Sequence, residues 1–75
     1  MSDLTFYTDR KRHLVCVPYS EYNLHKMAEM LNIDRCWFHK NHYDIPLRRV
    51  DEIEKMCKIV SPKDIVRIIR NTFEK

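Results

Sequence analysis

Asp9, His42 and Asp44 are the residue types that hold a divalent cation or activate water. Two of them fall in the ring-rich run Trp37-Phe38-His39-Lys40-Asn41-His42-Tyr43-Asp44, and Asp9 closes the first hydrophobic stretch. Two carboxylates and an imidazole are enough for a metal-dependent hydrolase or nuclease if the fold brings them together. A second set, Cys36, His39, His42 and Cys57, has the donor chemistry of zinc. It lacks the tight Cys-x₂₋₄-Cys pair of structural sites, and the i, i+3, i+6 spacing of its first members puts them on no common strand face. We therefore expect no stoichiometric zinc, no metal site and no cofactor.

The elements that must position these residues follow from periodicity. Leu4 to Thr8 and His13 to Val17 have the aromatic and β-branched content of strands, the second ended by Pro18. Ser20 is suited to cap a helix whose Leu24, Met27, Ala28 and Leu31 form one apolar stripe, with Asn32 able to end it in the left-handed region. Cys36 to His39 reads as a third strand, with Trp37 buried between amphipathic helices. Asp44 to Pro46 opens a second helix with Leu47, Val50, Ile53 and Cys57 inward, and Asp44 is a candidate cap for it. Ile59 and Val60 suit a very short strand. Ser61-Pro62-Lys63-Asp64 is a strong helix start, with Ile65, Ile68, Ile69 and Phe73 on the apolar face.

The resulting order, ββαβαβα, predicts an α/β or α+β fold: a single small domain over residues 1–75 with a short mixed sheet and three helices. A crossover from the second strand to the third makes those strands parallel. The short connection after Asp9 favours a hairpin of the first two strands. In that topology Asp9 lies at the opposite edge from His42 and Asp44, about 15 Å away. If the first strand instead ran parallel to the third, all would meet at the carboxyl ends, where open sheets bind ligands.

Composition narrows the function further. At 75 residues and 44% hydrophobic, the chain is large enough for one core. It contains no glycine, which excludes glycine-rich phosphate loops and dinucleotide fingerprints. No apolar run reaches membrane-spanning length, and three widely spaced cysteines give no disulfide framework. We expect a cytoplasmic protein with buried, reduced thiols. The net charge of +3 is compatible with attraction to nucleic acid or to an acidic protein surface.

The cations are grouped. Lys63, Arg67 and Arg70 recur at i, i+4, i+7 opposite the isoleucine face of the last helix; Arg10, Lys11 and Arg12 form a second cluster, and Arg48-Arg49 a third. Such side chains meet phosphates, and Tyr19, Tyr22, His39 or Tyr43 would supply stacking surfaces.

Phe6-Tyr7-Thr8-Asp9, Cys16, the Leu24 to Leu31 helix, Trp37-Phe38, His42-Tyr43-Asp44, Arg48-Arg49 and Ile59-Val60-Ser61 together resemble the bacterial and phage family called domain of unknown function 4031. The likeness runs from Phe6 to about Arg70. The chain differs in having Lys58 where that family usually has a glycine, and in a shortened loop after Asp9. The family carries no assigned activity, so the resemblance implies one compact domain in a bacterial or phage-infected cell and no mechanism.

Three functions follow as expectations. The first is a small binding or regulatory module for nucleic acid or an acidic protein, using Arg10, Lys11, Arg12, Lys63, Arg67, Arg70, Tyr43 and His39. The second is a hydrolase using Asp9, His42 and Asp44. The third is an inhibitor or adaptor whose only ligand is another protein.

Overall fold

The computed structural model describes residues 3–73. Five strands form one mixed sheet: β1 (Thr5–Thr8), β2 (His13–Val17), β3 (Phe38–His39), β4 (His42–Asp44) and β5 (Lys58–Ile59). Their spatial order is β3-β4-β2-β1-β5, parallel only between β1 and β5. The helices are α1 (Glu21–Leu31), α2 (Val50–Glu54) and α3 (Pro62–Ile69). The expected order holds, except that its third β unit is a hairpin of two very short strands rather than one.

Alternation along the strands sorts the side chains. Leu14 is directly opposite Tyr43, and His13 opposite Asp44. Tyr43 and Leu14 therefore share one sheet face with Cys16, while His13, His42 and Asp44 share the other with Val15. The Tyr43 face is packed by α1, where Leu24, Met27, Ala28 and Leu31 are buried as the stripe predicts. The other face is covered by α3 through Ile65 and Ile68. Burying a side chain of this size contributes about 1.5–3 kcal/mol against conformational entropy, so these two stripes account for much of the fold.

Local signals set the boundaries. The Ser20 hydroxyl accepts from Asn23 N at 3.0 Å, and that of Ser61 from Asp64 N at 3.1 Å. Asn32 ends α1 with φ 59°. With no glycine in the chain, left-handed positions also fall to Arg12, Lys40 and Asn71. Lys40 is what turns β3 back into β4.

Arg35 to Trp37 is a 3-10 turn, because the Asp34 carboxylate accepts from Cys36 N and winds the chain before Phe38. This lifts Trp37 out of the core to 37% exposure and leaves the Cys36 thiol exposed. Residues 45–49 are also not the start of α2: Pro46 leads into a second 3-10 turn, Leu47–Arg49, and Leu47 faces solvent. Asp44 lies in β4 and caps nothing.

Candidate functional site

The hairpin of β1 and β2 is the topology that was expected to keep Asp9 away from His42 and Asp44. The structure joins them indirectly: β4 runs antiparallel to β2 and sets Asp44 opposite His13, and Asp9 reaches that group through its contact with His13. The link between them is His13, a residue the sequence reading had placed only in a strand. His42 and Asp44, two apart on one strand, point the same way, which is a signal the sequence did carry.

His13, His42 and Asp44 each offer a donor atom, and the three atoms lie within 4.8 Å of one another. His42 Nε2 is 3.2 Å from Asp44 Oδ1, close to the roughly 3.3 Å between donors sharing an ion at 2.0–2.2 Å. His13 and His42 rings meet edge to face with centroids 5.0 Å apart. His39, opposite His42 on the outer strand, brings a further imidazole with its centroid 5.5 Å from that of His42. The His13–His42–Asp44 set is the one such cluster among the described residues, so the Cys36, His39, His42, Cys57 grouping is not assembled there.

Both imidazoles are held at Nδ1. His13 Nδ1 is 2.7 Å from Asp9 Oδ2, and His42 Nδ1 is 2.8 Å from Asn41 Oδ1. An oxygen on Nδ1 favours a proton there and leaves the Nε2 lone pair free, which is how carboxylate and amide partners prepare metal-binding histidines. Burial pushes the His42 pKa below its ordinary value, and the neighbouring His13 and His39 add to this against the opposing pull of Asp44. His42 has an oxygen beside each ring nitrogen, Asn41 Oδ1 at Nδ1 and Asp44 Oδ1 at Nε2, and either a second proton or a cation between Nε2 and Asp44 satisfies both.

Asp9 does more than orient a ring. It is fully buried, and its Oδ1 accepts from Lys11 N at 2.8 Å and His13 N at 3.0 Å. One carboxylate thus fixes both the β1–β2 turn and the His13 side chain. Arg12 ties the same turn to the far side of the site: Ile45 N donates to Arg12 O, and Arg12 Nη1 donates to Ile45 O.

Beside the cluster is a cavity of about 250 Å³, with His13, Asn41 and His42 on one wall and Pro62, Ile65, Val66 and Ile69 of α3 on the other. A larger opening of about 410 Å³ lies at Trp37, Pro46, Leu47 and Arg48. Of its charged residues, Arg49 donates to Leu31 O, Asn32 O and Glu52, and Asp34 accepts from Cys36 N. The smaller cavity is where reactive groups converge.

The other sequence candidates are dispersed. Arg10 and Lys11 are exposed on the turn, and Lys63, Arg67 and Arg70 are exposed on or just after α3. Arg67 is paired with Asp64 at 2.8 Å, so the stripe is less free of acids than its sequence suggested. Tyr43, expected as a stacking surface, is fully buried with its hydroxyl 2.7 Å from His25 Nδ1, and is closed to a base.

A family model described as Protein of unknown function (DUF4031) matches residues 5–72, and the chain belongs to that family. No curated protein and no solved structure matches the chain. Among the described residues, no helix is long and apolar enough to cross a membrane.

Proposed function

We propose that this protein is a metal-dependent hydrolase whose divalent ion is held by His13, His42 and Asp44. The observation that carries the reading is the convergence of these three donors within 4.8 Å, from two strands, with both imidazoles held at Nδ1. Two histidines and a carboxylate are a donor set used for catalytic zinc and for non-haem iron, and three protein ligands leave positions for water and a substrate oxygen. An ion there lowers the pKa of a bound water toward neutrality and polarises the bond to be cleaved. Asp9 and Asn41 hold the two rings, and the apolar wall of α3 limits water to one side. Three free thiols support a reducing, cytoplasmic setting.

The binding-module reading draws support from the exposed cations. With Tyr43 buried and Arg67 engaged by Asp64, we assign the remaining cations to the service of the hydrolytic centre. A protein-only adaptor gains no specific support from the geometry.

Cobalt titration of tag-free protein tests the proposal. We expect one equivalent of Co²⁺ to bind with the d–d absorption of a nitrogen- and oxygen-ligated ion, and an ester-hydrolysing activity that chelation removes. Unaltered cobalt absorption in His42→Ala would place the ion elsewhere and end the proposal.

A further inference from the structure

The substrate class can be read from what surrounds the centre, and this step rests on the metal-hydrolase reading above. β1 and β5 are the sheet's parallel pair, and Val60 N donates to Thr8 O at 2.8 Å, extending their contact past the last ladder residues. The chain therefore leaves both strands at the same carboxyl end. From β1 it enters the turn bearing Arg10 and Lys11. From β5 it passes Ser61 and Pro62 into the first turn of α3, bearing Lys63. Ligands of open sheets gather at this end of parallel strands.

Charge at this end is unbalanced. Arg10, Lys11 and Lys63 are exposed, and none has an ion-pair partner among the described residues. The acids nearby are already committed. Asp9 is buried on His13 and the turn, Asp44 belongs to the donor set, and Asp64 is paired with Arg67. The turn is not a loose arm either: Asp9 locks it from inside, and Arg12 fastens it to Ile45, the neighbour of Asp44.

The cavity wall supplied by α3 is apolar. Pro62, Ile65, Val66 and Ile69 face the two imidazoles across the cavity, with space for an uncharged ring or chain of a few atoms. His13 and Asp44 are 37% and 41% exposed at their side chains, so solvent reaches the centre. A fitting ligand has an anionic reacting group, one apolar substituent for the cavity and a second that continues into solvent.

We propose that the bond cleaved here is that of a phosphodiester. A carboxylic ester or amide is uncharged and gains nothing from Arg10, Lys11 and Lys63. A phosphomonoester has the charge but only one substituent for two exits. In the reaction, water oxygen forms a new bond to phosphorus while the bond from phosphorus to one ester oxygen breaks. The electron pair of that bond leaves with the ester oxygen, which takes up the proton given up by water. The products are an alcohol and a phosphomonoester, with no change in oxidation state.

The test compares bis(p-nitrophenyl) phosphate, p-nitrophenyl phosphate and p-nitrophenyl acetate on Co²⁺-loaded protein, wild type and Arg10→Gln/Lys11→Gln/Lys63→Gln. The diester is expected to be the best substrate. The triple variant should keep its melting temperature and cobalt spectrum while its KM for the diester rises about tenfold, as expected when cations that concentrate an anionic substrate are removed. Preference for the monoester, turnover of the acetate alone, or an unchanged KM in the triple variant would each overturn the phosphodiester assignment and leave the metal site standing. Failure of the wild type to bind Co²⁺, or binding without hydrolysis of any of the three, would overturn the hydrolase reading and this inference with it.

Discussion

Two histidine clusters lie back to back across β2 and β4, and they use their rings in opposite ways. On the α1 side, His25 places Nδ1 2.7 Å from the Tyr43 hydroxyl and Nε2 3.6 Å from Glu21, with Phe38 against its ring at 4.7 Å. Nδ1 ties α1 to β4, and Nε2 faces a carboxylate one turn earlier on the same helix. On the α3 side, His13 and His42 each spend Nδ1 on an oxygen and turn the other nitrogen toward Asp44 or the cavity. A single strand, His42-Tyr43-Asp44, serves both clusters by alternation: its middle residue builds the core and its outer two build the site. The difference lies in what the rings face: His25 is packed against Phe38 and Tyr43, whereas His13 and His42 border a cavity beside a half-exposed carboxylate.

The largest effect should come from the structural side. Tyr43→Ala empties a fully buried position and should cost about 3–5 kcal/mol in urea unfolding. His42→Ala should change the stability of the metal-free protein by no more than about 1 kcal/mol yet weaken Co²⁺ binding more than about 100-fold by calorimetry. Equal destabilisation by the two would erase the contrast between the faces.

Asp9→Asn separates the two tasks of that carboxylate, holding the turn and holding the His13 ring. Asparagine keeps an oxygen for Lys11 N and His13 N, but its amide then donates to His13 Nδ1 and forces the proton onto Nε2. We expect a loss of about 10–100-fold in metal affinity with the turn preserved, the scale seen when an orienting partner of a metal-binding histidine is changed. Nitrogen-15 shifts of His13 report the tautomer directly; an unchanged Nε2 lone pair would contradict this.

The smallest effect is chemical labelling. Burial pushes the Cys16 thiol, on the α1 side, up to about 12, so almost none is thiolate at pH 8. Iodoacetamide should modify exposed Cys36 first and Cys16 only on unfolding, as mass spectrometry of the digest would show. Early alkylation of Cys16 would mean that this side is not dry.

Much of this architecture was legible from local chemistry. Ser20, Asn32 and Ser61-Pro62 set their helix ends as expected, and the α1 stripe is buried residue for residue. The β3–β4 hairpin was not legible, because Lys40-Asn41 carries no glycine and Lys40 enters the left-handed region without an obvious marker. That one turn reverses the chain, so β4 lies antiparallel to β2 where a parallel crossover strand was expected, and Asp44 comes opposite His13, the residue that Asp9 holds. Trp37 was misplaced for a related reason: the hydrophobic run around it is broken by Asp34 winding the preceding residues into a 3-10 turn. His13 went unread because its role depends on which strand lies beside it, a long-range fact that no local pattern encodes.

The donors of the site come from strands at either end of the α1 connection, His13 before it and His42 and Asp44 after it. An ion shared between them would act as a reversible staple across residues 13–42, restraining the unfolded chain much as a cross-link does. Folding and loading would then be one equilibrium viewed from two sides. At a free ion concentration a hundred times the dissociation constant, the folded state would gain about 2.7 kcal/mol, a large share of what a small domain has. The ion supply of the cell would then set how long the chain survives proteolysis as well as whether the site can turn over.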